Sequence, residues 1–149
     1  MVARIIFFII MVLAADARGP WLGTWQLNPG KSQTASDRYK RVVSRIEPWE
    51  DGLKVTYEMV GVRGGVTYLE WAGKLDGKDY PVEGADYTMT NAYTLLTDHT
   101  YQIVVKVEGS LVQTAHVEVS PDGKTLTTVT TSKDAHGRTT TATSVYDRR

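Results

Sequence analysis

The chain has 149 residues, and its 17 basic and 17 acidic side chains give a formal net charge of zero. A neutral balance provides no electrostatic footprint for nucleic acid, so nucleic-acid binding is disfavoured. The absence of cysteine excludes a disulfide framework, a thiolate metal site and a cysteine nucleophile. One domain accounts for this length, and no shift in composition indicates a second.

Residues 1–17 have the pattern of a secretory signal peptide. Arg4 supplies positive charge, residues 5–14 are an apolar run, and residues 15–17 read Ala-Asp-Ala, a small-x-small cleavage pattern. A membrane anchor is the alternative, but the run is about half of the roughly 20 residues that a spanning helix needs. We therefore expect a signal peptide at 1–17 and one domain at 18–149. The mature protein is expected to be secreted or periplasmic, in a bacterial envelope, and not inserted in a membrane.

The chain then alternates strand-like segments with turn signals. In the clearest segment, 53–59, apolar side chains alternate with Lys54, Thr56 and Glu58, which predicts one buried and one solvated face. Asp76-Gly77 and Ser120–Lys124 are strong turn signals. A short return is predicted at 78–81, followed by a bend or loop at 82–86. The other predicted strands are 38–46, 66–75, 87–96, 101–107, 111–119, 125–132 and 138–146.

This spacing predicts an all-β domain of about eight or nine strands, built as a sandwich or a barrel. Successive hairpins favour a single up-and-down antiparallel β-barrel, because Greek-key sandwiches need longer crossings. Closure also removes exposed sheet edges. A membrane barrel would need an apolar outward face, whereas the solvated face here carries residues such as Lys54, Glu58 and Lys106. A soluble barrel is the prediction.

The stretch 20–31, which reads PWLGTWQLNPGK, carries a resemblance to a known family. Its Gly-Thr-Trp triplet, followed by a meander of hairpin-linked strands, resembles the calycin superfamily of lipocalins, fatty-acid-binding proteins and avidin-like proteins. The phrases GTWQLNPGKS, DGLKV, LDGKDYPVEG, PDGKTLT and VYDR are similar to those of bacterial secreted proteins described as lipocalin-like. The resemblance covers nearly all of residues 20–148.

The resemblance implies a barrel that holds one small, mostly apolar ligand. It also implies how one end closes: Gly23 lets the chain turn tightly into the first strand, and Trp25 packs across the end. Arg148 would lie over the indole in a cation–π contact, with Arg149 or Arg45 as substitutes. The R-x-Y pair of fatty-acid-binding proteins is absent, since residues 144–146 read Ser-Val-Tyr. No residue therefore supports fatty-acid binding.

Aromatic residues are the informative signal for a site. The chain has four tryptophans and eight tyrosines, and a tyrosine in a barrel lumen offers flat apolar surface plus a hydroxyl. The alternative is that these side chains fill the barrel, as they can in eight-stranded barrels. The sequence leaves open whether Trp71 faces inward. The predicted ligand-binding residues are Tyr57, Met59, Trp71, Tyr93, Tyr101 and Ile103.

Three function classes remain, of which a binding protein for a small apolar or aromatic ligand is preferred. The second is an envelope interaction protein, such as an inhibitor or adaptor, with a filled barrel. The third is a calycin-type isomerase or hydrolase, which would need His116, Glu70 or Glu118 in the lumen. The orientation of His116 is open. No cofactor or metal is expected, because no H-x-H or H-E-x-x-H spacing occurs.

Overall fold

The computed structural model describes residues 19–33 and 38–149, so the predicted signal peptide at 1–17 lies outside the described residues. A single 3₁₀ turn, Pro29–Lys31, follows the first strand. Within the described residues, no helix is long and apolar enough to cross a membrane. The strands are β1 (Gly23–Leu27), β2 (Tyr39–Trp49), β3 (Gly52–Gly61), β4 (Val66–Gly73), β5 (Tyr80–Glu83), β6 (Met89–Leu95), β7 (Thr100–Val107), β8 (Ser110–Val119), β9 (Thr125–Lys133) and β10 (Thr139–Arg148).

These strands form one closed antiparallel barrel in which each strand pairs with its neighbours along the chain. β1 closes the barrel because it pairs with both β2 and β10: Trp25 lies opposite Ser44 on one side and Arg148 on the other. The predicted all-β, up-and-down antiparallel barrel is therefore confirmed, and the sandwich alternative is excluded. Alternation of apolar and polar residues places one face of each strand in the interior.

The strand count differs from the prediction, since the barrel has ten strands rather than eight or nine. The difference lies at β5, which was predicted as a short return followed by a bend at 82–86. Val82 instead pairs with Trp71 and is 9% exposed. β5 has only four residues, one of them Pro81, so it carries too little alternation to be distinguished from a turn in the sequence.

The strand directions define two ends of the barrel. β1 leads away from the end that holds Trp25, which we call the closed end. The opposite end, which we call the open end, carries the β3–β4, β5–β6, β7–β8 and β9–β10 connections. The chain from β1 to β2 also crosses there: Gln33 bridges to Thr143 of β10, which extends the wall beyond β1.

Trp25 lies fully buried across the closed end, packed in one cluster with Trp21 and Leu53. Its indole Nε1 donates to the backbone carbonyl of Trp21 at 2.8 Å. The guanidinium carbon of Arg148 lies 4.1 Å from the Trp25 ring centroid, in cation–π geometry. The Arg148 guanidinium also donates to three backbone carbonyls, those of Pro20, Leu22 and Gly123, at 2.7, 2.6 and 2.7 Å.

Gly23 adjoins this contact and has no room for a side chain. Its φ of +132° disfavours any residue with a Cβ. A Cβ placed there would come within 2.5 Å of Nη1 of Arg148. The glycine thus allows the Arg148 side chain to cross the first strand and reach the backbone of the preceding segment. The contacts of Arg148 and Trp25 thus connect β10 and β1 with the segment that precedes β1 at the closed end.

Candidate functional site

The interior of the barrel holds a cavity of about 580 Å³. Inward-facing side chains from all ten strands line it, and Trp25 is not among them. The cavity reaches toward the open end, where Tyr39 lines it and is itself 38% exposed. The barrel is therefore not packed solid, and the filled-barrel alternative does not describe this chain.

Five of the six predicted ligand-binding residues line the cavity. Tyr57 and Met59 project inward from β3, and Tyr101 and Ile103 project inward from β7. The open question about Trp71 is answered, since it pairs with inward-facing Val55 and also lines the cavity.

Tyr93 differs from the other five because it lies behind the cavity surface. It is fully buried and its ring is stacked between two others: the centroid distances are 3.8 Å to Trp71 and 5.2 Å to Tyr101. Trp21 meets Tyr101 edge to face at 5.1 Å. Each such aromatic pair contributes about 0.5–1.5 kcal/mol beyond its buried area. The four rings form one contiguous aromatic cluster on the side of the cavity that faces the closed end.

The cavity has two chemically different walls. An apolar wall comes from β3 to β8 and is dominated by aliphatic, aromatic and methionine side chains. The lining from β2, β9 and β10 is mixed: it contains four hydroxyl side chains, which we call the hydroxyl wall, and four aliphatic side chains beside them. The hydroxyl wall is Ser44, Thr128, Thr130 and Ser144, and the aliphatic neighbours are Val42, Ile46, Leu126 and Ala142. The apolar wall includes Tyr57, Met59, Leu69, Trp71, Val82, Met89, Ile103, Val105, Ala115 and Val117.

The sequence pattern did not predict that the side chains of the hydroxyl wall face the lumen. Threonine occupies five of the nine positions of β9 and the first three of β10, so the usual contrast between an apolar and a polar face is weak. The strand register instead shows which threonines face inward. Thr128 lies opposite Val117 and Ser144, and Thr130 lies opposite Ala115 and Ala142. Because Val117 and Ala115 face inward, Thr128 and Thr130 face inward as well.

No ionic group of the described residues is directed into the cavity. Glu70 borders it, but Glu70 pairs with outward-facing Thr56, and its carboxylate lies 3.3 Å from Nζ of Lys54. His116 and Glu118 are exposed on the outer face of β8. Among residues 19–33 and 38–149, no group of three His, Cys, Asp or Glu residues is placed to hold a metal ion.

Burial keeps the phenols of the lumen protonated. Burial raises the pKa of Tyr57 and of Tyr146. Burial, and then the neighbouring phenols, raise the pKa of Tyr93 and of Tyr101 well above the ordinary value. Each of these groups is neutral when protonated, so the lumen stays uncharged throughout the physiological pH range.

These pKa shifts predict a coupled alkaline transition. A raised folded-state pKa adds stability that is fully present below the unfolded value of about 10 and is lost as the pH rises above it. We expect phenolate absorbance from Tyr57, Tyr93, Tyr101 and Tyr146 to appear together with the loss of β-sheet circular dichroism. A Tyr57→Phe/Tyr101→Phe variant should show a smaller absorbance change in that transition. Full ionisation of all eight tyrosines in a folded barrel would contradict this expectation.

The chain is similar to known proteins in its structure, but its sequence matches no family model and no curated protein. A variant of the fluorescent protein UnaG superposes with a TM-score of 0.61 at 17% identity, covering 87% of this chain and 96% of that one. Zebrafish ileal bile acid-binding protein complexed with cholic acid superposes with a TM-score of 0.54 at 14% identity, covering 88% and 100%. These likenesses show that the chain shares its small closed β-barrel fold with both proteins.

Proposed function

We propose that this protein binds one small, neutral, mostly apolar molecule in the lumen of its barrel. The observation that carries the proposal is the cavity of about 580 Å³, whose lining is apolar or neutral polar except for Glu70 at its border. Cavities of roughly 300–1,000 Å³ with a few placed polar groups are typical of small-molecule sites. The similar barrel of the zebrafish protein, which was solved with cholic acid, supports the same use of this fold.

The ligand is proposed to be neutral because the described residues direct no countercharge into the lumen. A carboxylate or ammonium group buried there would lose its hydration without gaining an ionic partner. The one carboxylate at the border, Glu70, already pairs with Lys54 on the outer surface. A neutral ligand would instead bury an apolar body against the aliphatic and aromatic side chains and direct its polar atoms to neutral polar groups of the lining, such as Ser44, Thr128 and Asn91.

Binding, rather than catalysis, is the function that this lumen supports. A general acid or base must face the substrate, whereas His116 and Glu118 lie on the outer face of β8. The phenols that do face the lumen have raised pKa values, which makes them poor proton acceptors at neutral pH. We also propose export to the periplasm or the medium, which rests on the sequence pattern of residues 1–17.

A pair of matched fluorescent probes tests the preference for a neutral ligand. 1-Pyrenemethanol and 1-pyrenecarboxylate share one ring system and differ in charge. We expect saturable binding of the alcohol and, at neutral pH, binding of the carboxylate that is weaker by about tenfold or more, since charge burial is costly. The difference should shrink as the pH falls toward about 4, where a free carboxyl group becomes protonated. Equilibrium titrations followed by pyrene emission give both dissociation constants.

Two results would contradict the proposal. If neither pyrene showed saturable binding, the lumen would not be a binding site for molecules of this size. Tighter binding of the carboxylate at neutral pH would show that a cationic side chain contacts the ligand. That result would contradict the proposal of a neutral ligand. Tryptophan emission supplies a second readout, because Trp71 lines the cavity.

A further inference from the structure

One buried amide on the cavity surface has no hydrogen-bond partner for its oxygen. Asn91 faces the lumen from β6 and is 7% exposed. Its backbone carbonyl accepts from Nε1 of Trp71 at 3.0 Å, so the backbone is held in place. Its side-chain Oδ1 is buried and unpaired within the described part of the chain. Buried polar atoms are nearly always paired in folded proteins, so this oxygen indicates a missing partner.

The surroundings of Asn91 make this oxygen distinctive. Asn91 interrupts the apolar wall: its cross-strand partner is Val105, and Met89 precedes it on the same face of β6. The hydroxyl of Tyr93 is also buried and unpaired. Tyr57 and Asn91 lie near enough to act on the pKa of Tyr93, yet neither is in hydrogen-bond geometry with its hydroxyl. At this place in the apolar wall, the described residues leave Asn91 Oδ1 and the neighbouring Tyr93 hydroxyl without a hydrogen-bond partner.

We propose that Asn91 determines ligand specificity by accepting a hydrogen bond, at Oδ1, from a neutral hydroxyl or N–H group of the ligand. This inference rests on the lumen-binding function proposed above. The ligand class it names is an apolar ring body that carries an alcohol, phenol or amide donor. A ligand without a donor would leave Oδ1 unpaired, and sites built to pair a polar group discriminate strongly against analogues that lack it.

The test compares two pyrenes that differ at one substituent, a hydroxyl group in one and a methoxy group, which cannot donate, in the other. 1-Hydroxypyrene has a phenolic O–H, and 1-methoxypyrene has the same ring and oxygen without it. In the unaltered protein we expect 1-hydroxypyrene to bind about tenfold more tightly, the ratio typical of one net hydrogen bond. In Asn91→Leu, which replaces the amide with an apolar side chain of similar size, the ratio should fall to about one.

A matched control lies one residue away. Thr90 precedes Asn91 on β6 and faces outward, so Thr90→Leu should leave the ratio of the two dissociation constants unchanged. Circular dichroism on both variants checks that the barrel is folded. The ratio measured in the unaltered protein needs no variant, so the proposal is tested even where Asn91→Leu does not fold.

Each outcome has a separate meaning. Equal affinity for the two pyrenes in the unaltered protein, or an unchanged preference in Asn91→Leu, would overturn the role of Asn91 while leaving lumen binding in place. Absence of binding by both pyrenes would overturn the proposed function itself. A preference that is present in the unaltered protein and in Thr90→Leu, and is lost in Asn91→Leu, would support the inference.

Discussion

Replacing Trp25 by alanine is expected to lower the free energy of unfolding by about 3–5 kcal/mol, the usual cost of truncating a buried tryptophan. Trp25 is fully buried in the cluster that closes one end of the barrel. The change would leave a void beside Trp21 and Leu53 and would remove the ring beneath the Arg148 guanidinium, 4.1 Å away. Denaturant unfolding followed by circular dichroism measures the loss.

Trp49 provides a matched control for this prediction. It ends β2 at the same end of the barrel, but it is only partly buried and is not part of the buried core that contains Trp25. Trp49→Ala should therefore cost clearly less than Trp25→Ala. A loss of about 0.5 kcal/mol or less for Trp25→Ala, within the range of ordinary surface substitutions, would show that the closed end does not depend on this indole.

The sequence predicted the architecture because the relevant signals are local. Alternation at 53–59 and at 101–107, with turn residues between the strands, was sufficient for an antiparallel meander. The contact between Arg148 and Trp25 joins the two ends of the domain, and only the family resemblance indicated it. The structure shows the same pairing and adds its reason: barrel closure sets Trp25 opposite Arg148 in register. β5 was not predicted as a strand because four residues are too few to show the alternation of apolar and polar side chains.

Less of the candidate site than of the fold could be predicted from the sequence. Tyr57, Met59, Tyr101 and Ile103 lie on strands with clear alternation, so their inward orientation followed from the pattern. Whether they fill the lumen or surround a cavity depends on barrel circumference and on side chains of distant strands, which no local pattern reports. The hydroxyl wall and the unpaired Asn91 oxygen depend on strand register in the same way.

The second large effect is expected from filling the lumen. Ala115 and Ala142 flank Thr130 on neighbouring strands, so they lie at one level of the cavity wall. The variant Ala115→Trp/Ala142→Trp would place two indoles across the lumen at that level. We expect its dissociation constant for 1-pyrenemethanol to rise by at least about tenfold, and its stability to change by about 1–3 kcal/mol because of crowding.

The control variant adds the same two indoles to the outside of the same strands. His116 and Thr141 are each adjacent to one of the two alanines and are exposed on the outer face. His116→Trp/Thr141→Trp should therefore bind the probe as the unaltered protein does. Circular dichroism shows whether both variants retain the β-sheet of the unaltered barrel.

The titration of these two variants with 1-pyrenemethanol tests the central claim, that the ligand binds inside the barrel. The account predicts binding that is lost in the inward variant, Ala115→Trp/Ala142→Trp, and kept in the outward variant, His116→Trp/Thr141→Trp. Equal affinity in the two folded variants would contradict the account, because the probe would then bind on the outer surface rather than in the cavity.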